Sequence, residues 1–222
     1  MKNKIAMLTD DNGIEHFAED EKGDIAVQYF SNLFRYSSPA SVAELLEGFR
    51  PVVTDGMNQN LIRPVSDNEI KIVVKAIKSD SSPRADGMIG KFFQHYWSIT
   101  GEQVSKEVKE FFAGGDISPD WNYIQLCLLP KKTNPHLMTA LRPISLCSVV
   151  YKIISNVLCS RLKNILPQIV SPTQGAFVSW RLISDNLLIA HEMIHGLKTN
   201  LNCREYYIAI KTDMSKEYDR VE

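Results

Sequence analysis

Tyr206-Tyr207-Ile208-Ala209-Ile210-Lys211-Thr212-Asp213 is the stretch on which the fold turns. Five β-favouring or small apolar residues run into a short polar step and then an acid. A helix-like stretch follows, Met214-Ser215-Lys216-Glu217-Tyr218-Asp219-Arg220-Val221-Glu222. The pattern predicts a buried strand over 206–212 with a carboxylate at its exit. Alternation puts Asp213 on the face shared by Lys211, Ala209 and Tyr207. Carboxylate oxygens there suit Mg²⁺, and such a centre draws further carboxylates from another strand. The local alternative is that Asp213 caps a helix or sits in a turn. Asp219 reads as a surface carboxylate.

Working back, 185–198 reads as a helix with Leu187, Ala190, Ile194 and Leu197 inward. Ser171-Pro172-Thr173-Gln174 has the form of a helix start with proline in the first turn. From Val149 to Leu166 one broad apolar stripe predicts a long helix. Before it, 121–129 and 141–146 read as strands around Pro130-Lys131-Lys132. Ser66-Asp67-Asn68-Glu69 is a capping box, with Val65 and Ile70 as its hydrophobic staple, opening a helix over 67–79. Thr100-Gly101-Glu102-Gln103 has the same form, and Gly114-Gly115 ends the helix it would open. The turn at 81–87 and the aromatics Phe92, Phe93, Tyr96 and Trp97 lie between these helices. At the N-terminus, Asp10-Asp11-Asn12-Gly13 predicts a hairpin over 1–18, followed by a helix over 20–34. Residues 35–64 read as an irregular connection with a short helix at 42–46.

A chain of 222 residues can bury a substantial core. Its 44% hydrophobic and 23% charged content are those of a soluble globular protein. A net charge of −1 gives no global signal for nucleic acid, although a local patch can hide in a neutral total. Cys127, Cys147, Cys159 and Cys203 have neither CxxC nor zinc-type spacing, and read as reduced thiols. Acids follow the basic N-terminus too soon for a signal peptide, and no apolar run can span a membrane. The expected location is nuclear or cytoplasmic.

Three further constellations carry chemistry. Lys131, Lys132 and Arg142 bracket a turn between strands, where lysine acts as a point charge and arginine as a fork for phosphate, or else both are solvated. Gln174, Arg181 and Asn186 could contact a nucleic-acid backbone, or belong to a plain interhelical loop. His191-Glu192-Met193-Ile194-His195 matches the HExxH pattern of zinc proteases, without an obvious third ligand in the tail.

Together these pieces resemble the reverse transcriptase of non-LTR (LINE-type) retrotransposons, especially plant elements. The resemblance rests on Leu129-Pro130-Lys131; on Leu141-Arg142-Pro143-Ile144-Ser145-Leu146-Cys147 with Tyr151-Lys152-Ile153-Ile154 and Arg161-Leu162; on Gln174-Gly175-Ala176-Phe177 with Arg181-Leu182-Ile183-Ser184-Asp185-Asn186; and on Lys211-Thr212-Asp213-Met214-Ser215-Lys216 with Tyr218-Asp219-Arg220-Val221. Asp86-Gly87-Met88, the aromatics near Trp97, and Tyr29-Phe30 with Leu33-Phe34 extend it upstream.

The resemblance implies an α+β fold: the fingers and first palm strand of a right-handed polymerase, truncated. Residues 1–64 would be a linker-like segment before the polymerase, and 65–222 a partial reverse transcriptase domain. Asp213 would be the catalytic, metal-binding aspartate, and Met214 would lend its backbone carbonyl to the Mg²⁺ site. Lys131, Arg142 and Tyr218 would bind the incoming nucleotide; Gln174, Phe177 and Arg181 would hold the template. The chemistry would be two-metal, in-line transfer of a nucleotide from its triphosphate to the 3′ hydroxyl of a DNA primer, directed by an RNA template. The paired-aspartate strand, remaining palm, thumb and endonuclease are expected to be missing, and the chain inactive alone. A non-catalytic nucleic-acid-binding remnant is the alternative, and a zinc protease a remote one.

Three positions depart from the family pattern. Glu217 stands for a small alanine, which brings charge near Asp213. Trp180 stands for a glycine before Arg181, costly if that position needs positive φ. Arg84-Ala85 replaces Gly-Pro. Such departures fit a decayed element.

Overall fold

The computed structural model describes residues 4–35, 46–80, 87–199, 208 and 210–213. Most of the expected helix at 42–46, most of the turn at 81–87, and Met214, Glu217, Tyr218 and Asp219 lie outside the described residues. The described chain is a mixture of helix and small sheets, mostly helical, and falls into two units. One gathers the N-terminal segment with 123–147; the other gathers 49–122 with 148–199.

In the first unit β1 (Leu8–Thr9) and β2 (Glu15–His16) form the expected hairpin. The Asp10 carboxylate accepts from the amides of Asn12 at 2.9 Å and Ile14 at 2.8 Å, and Gly13 takes φ 83°. Those backbone donors, Ile14 first, hold the Asp10 carboxyl below the usual range. Helix α1 (Glu19–Leu33) follows, and buried Lys22 donates to Ile5 O and Glu19 Oε1, each at 2.9 Å. Later in the chain β3 (Gln125–Pro130) pairs antiparallel with β4 (Leu141–Leu146), Leu129 opposite Arg142 and Pro130 opposite Leu141. Leu8, Phe30, Met138 and Leu141 make this unit's core. The strand expected from Trp121 begins only at Gln125, because Trp121 lies in the helical turn Pro119–Asn122.

The second unit is helical. Helix α2 (Asp55–Ile62) replaces an expected irregular stretch. Its start is a local cap, Thr54 Oγ1 accepting from the Met57 amide at 3.3 Å, and its side chains bury too little for a periodic signal. Helix α3 (Asp67–Ala76) begins as expected, with Ser66 Oγ accepting from the Glu69 amide at 3.2 Å and Val65 and Ile70 buried. The other half of the capping box is absent. The Glu69 carboxylate instead receives Arg161 Nε at 2.9 Å and Nη2 at 3.0 Å.

Helix α4 (Gly90–His95) docks under the end of α3, Gln94 Nε2 donating to Val74 O at 2.9 Å and Ile77 O at 2.7 Å. Helix α5 (Trp97–Phe112) starts at Tyr96, not at Thr100. Thr100 is interior, its hydroxyl turned back onto Tyr96 O at 3.2 Å, so the second capping box does not form. Gly114, at φ 97°, follows the helix end as expected. After the turn α6 (Pro119–Asn122), α7 (Val149–Leu162) is capped by Ser148 Oγ accepting from the Tyr151 amide at 3.1 Å. It ends at Leu162, four residues short of the expected end, and a separate short helix α8 (Leu166–Ile169) follows. Val149, Val150, Ile153, Ile154 and Val157 pack with Ile70, Val73, Val74, Val104 and Val108 in one core.

The segment from Ser171 forms turns rather than a helix. The long helix α9 (Ile183–Thr199) forms where expected, but none of its residues is buried. Leu187, Ile194 and Leu197, expected inward, are 60%, 47% and 44% exposed. The strand expected over 206–212 is not formed at the described positions: 208 and 210–212 adopt no strand, and Ile208 and Ile210 are exposed. Both outcomes have one cause, since an apolar face is buried only when another element is packed on it.

Candidate nucleic-acid interface

The β3–β4 hairpin is built to carry cations. Between Tyr123 and Cys147 its only formally charged side chains are Lys131, Lys132 and Arg142. Opposed residues of an antiparallel pair share a face, so Arg142 projects with Leu129 and away from buried Leu141. Lys131, two residues past Leu129, continues that outer face. Its amide donates to Ala140 O at 2.9 Å and its Nζ to Thr139 O at 3.0 Å, fixing the strand end. Both side chains are exposed. The hairpin therefore brings the two expected nucleotide-binding cations to one surface.

The loop over 170–182 is organised by Arg181. Its guanidinium donates to Ser171 O at 2.6 Å, Gln174 O at 2.9 Å, Pro167 O at 3.1 Å and Val170 O at 3.2 Å. One side chain thus closes the loop from its far end. Asn186 Nδ2 adds a bond to Thr173 O at 3.0 Å. A Cβ on Gly175 would stand 3.0 Å from that Nδ2, so glycine allows the close approach. The fastened loop presents Gln174 to solvent and Phe177 at 87% exposure, with φ 64°. Gln174, Phe177 and Arg181 are thus brought together, Arg181 as the positioning group. The roles of Gly175 and Asn186 as spacer and clasp were legible only as letters of the motif.

Trp180 occupies the position where a glycine was expected, and its φ is 69°. It is 99% exposed, so no packing offsets the cost of that conformation. Left-handed backbone costs an L-residue roughly 1–2 kcal/mol, while glycine adds about 0.5–1 kcal/mol of chain freedom to the unfolded state. Trp180→Gly is therefore expected to stabilise the chain by about 0.5–1 kcal/mol, read from the urea midpoint. An unchanged or lower midpoint would contradict that accounting.

Asp213 is exposed and in no strand. No group of three His, Cys, Asp or Glu side chains able to hold a metal occurs among the described residues. A lone exposed carboxylate does not make a magnesium centre, and Met214 and Tyr218 lie outside the described residues. The described residues thus do not fit a resident Mg²⁺. His191 and His195 lie on exposed α9 without a third ligand gathered beside them among the described residues. No described helix is long and apolar enough to cross a membrane.

Comparison with known proteins bears on this arrangement. Residues 129–222 match the family described as reverse transcriptase (RNA-dependent DNA polymerase). Over 202 residues the chain is 31% identical to the Transposon TX1 uncharacterized 149 kDa protein of Xenopus laevis. That alignment covers 90% of this chain and 15% of the relative, so the chain spans a small part of it. The matched segment contains both hairpin cations, the Arg181 loop and Asp213. Reverse transcriptases bind nucleic acids and use metal ions. Residues 129–222 are thus similar to reverse transcriptases, and most of the chain is similar to a small part of a transposon protein.

Proposed function

We propose that residues 65–222 are the fingers and first palm strand of the RNA-directed DNA polymerase of a LINE-type, plant-like retrotransposon, preceded by a joining segment over 1–64. The match over 129–222, in which Lys131, Arg142, Gln174, Phe177, Arg181 and Asp213 fall in order, carries this reading. The exposed hairpin cations engage the phosphates of an incoming nucleotide or strand by charge and, for Arg142, by a two-pronged hydrogen bond. Gln174 and Phe177 contact the template, Phe177 offering an aromatic face to a base. Arg181 acts through them by holding their loop. Asp213 is the family's metal-binding aspartate, Met214 contributes a backbone carbonyl beside it, and Tyr218 lies under the nucleotide sugar.

Binding and polymerisation come apart here. This reading assigns metal binding by a side-chain carboxylate to Asp213 alone, so this chain by itself is expected to bind a primed RNA template without extending it. A non-catalytic nucleic-acid-binding chain is the same reading without Asp213 chemistry. Primer extension separates them: the purified 222-residue chain is given a DNA primer on an RNA template, deoxynucleotides and Mg²⁺. No extended product is expected. Magnesium-dependent extension that disappears in Asp213→Ala would overturn the claim of inactivity and establish Asp213 as catalytic.

A further inference from the structure

The helix α3 carries a second cationic feature, outside the matched segment. Lys71, Lys75 and Lys78 recur at i, i+4 and i+7, and all three are exposed. At 100° per residue Lys71 and Lys75 share one sector of α3, off the face that buries Ile70, Val73 and Val74, and Lys78 follows just past the helix end, after Ile77 turns extended at ψ 135°. Lys71 and Lys75 stand about 6 Å apart along the axis at 1.5 Å per residue. The Lys91 amide donates to Ser79 O at 3.1 Å, which sets exposed Lys91 just beyond Lys78. The row therefore runs from α3 onto α4.

This row lacks the ion pairs that would mark a solvated salt-bridge face. The acids of α3 are spent elsewhere, Asp67 on Lys109 at 2.7 Å and Glu69 on Arg161. No described carboxylate lies within ion-pair distance of the four lysines. Past Lys71 the surface opens into a groove of about 630 Å³ between α3 and α5, with Asn68 and Trp97 in its lining and Glu102 on its α5 side. Exposed cations without an ion-pair partner among the described residues are complementary to the phosphates of a nucleic-acid strand.

We propose that Lys71, Lys75, Lys78 and Lys91 form a second nucleic-acid backbone contact, separate in sequence from the hairpin and loop. The contact is electrostatic and independent of sequence, and it explains how a chain of net charge −1 can hold a nucleic acid. It rests on the nucleic-acid reading above, so the test keeps the two apart.

Binding of a fluorescent DNA-primed RNA template is followed by anisotropy across a KCl series for wild type, Lys71→Gln/Lys75→Gln/Lys78→Gln, and Lys131→Ala/Arg142→Ala. All changed side chains are exposed, and thermal unfolding checks that each variant stays folded. Each lost phosphate contact should lower the slope of log K against log salt by about 0.7–0.9. The triple variant is expected to lose about 2–3 slope units. A triple variant that keeps the wild-type slope, while the hairpin variant loses slope, overturns this contact alone. Absence of binding by wild type at low salt overturns the nucleic-acid reading and this contact with it.

Discussion

Replacing Arg161 with alanine is expected to cost about 3–5 kcal/mol of unfolding free energy, the range for breaking a buried ion pair by removing one partner. The Arg161 side chain is 5% exposed and its partner Glu69 14%. Besides its two bonds to Glu69, Arg161 donates to Leu61 O and Arg63 O, each at 2.7 Å, and its guanidinium carbon stands 5.4 Å from the Phe112 ring centroid. One side chain therefore ties α7 to the end of α2, the start of α3 and the end of α5. Arg161→Ala leaves the Leu61 and Arg63 carbonyls without this donor and the Glu69 carboxylate with only the longer Arg63 Nη2 ion pair at 3.4 Å. Arg161→Lys keeps the charge but lacks the planar fork, and should recover only part of the loss. Urea unfolding of the three proteins measures this; a loss under 1 kcal/mol in the alanine variant would show that the pair is dispensable.

The same pair sets a pH dependence. The Arg161 bond holds the Glu69 carboxyl below the usual glutamate range, the other contributions being smaller. A depressed folded-state value adds stability that is fully present above the unfolded value, near 4.3 for a free glutamate, and is lost as pH falls through the folded value. Stability should therefore drop on the acid side of that range, and less steeply in Glu69→Gln. Equal acid sensitivity in both would locate the effect in other carboxylates.

Ile153→Ala should cost about 2–5 kcal/mol. Ile153 is 0% exposed and belongs to the core that joins α7 to α3 and α5. Its removal leaves a cavity that neighbours from several helices must each shift to fill. Ile153→Val, losing one methylene, should cost about 0.5–1.5 kcal/mol. A cost below 1 kcal/mol for the alanine variant would mean that the helices do not pack as described.

The parts of this fold legible in sequence were those whose cause is local or periodic. Ser66 caps α3 because its hydroxyl reaches an amide three residues on, and Asp10 to Gly13 turn because their own groups close the bend. The β3–β4 pairing could be read from two apolar runs around a polar turn. What escaped had distant causes. Glu69 looked like half of a capping box, yet its partner is 92 residues away. The available signal was Arg161 itself, a cation in phase with the apolar stripe of α7. Thr100 imitated a cap while the helix had already started at Tyr96. The α9 stripe was read as inward, but no described element covers it. Of the candidate site, the hairpin cations and the loop motif were legible as residue types. The four backbone bonds that make Arg181 a clasp were not, because backbone acceptors leave no trace in side-chain identity.

Salt-dependent binding of a primed RNA template tests the central claim most directly, with Lys131→Ala/Arg142→Ala beside wild type. Wild type should bind at low salt, with log K falling linearly in log salt. The double variant should show a slope smaller by roughly 1.4–1.8, about 0.7–0.9 for each phosphate contact removed. No binding by wild type at low salt, or an identical slope in a folded double variant, would contradict a nucleic-acid role for this hairpin.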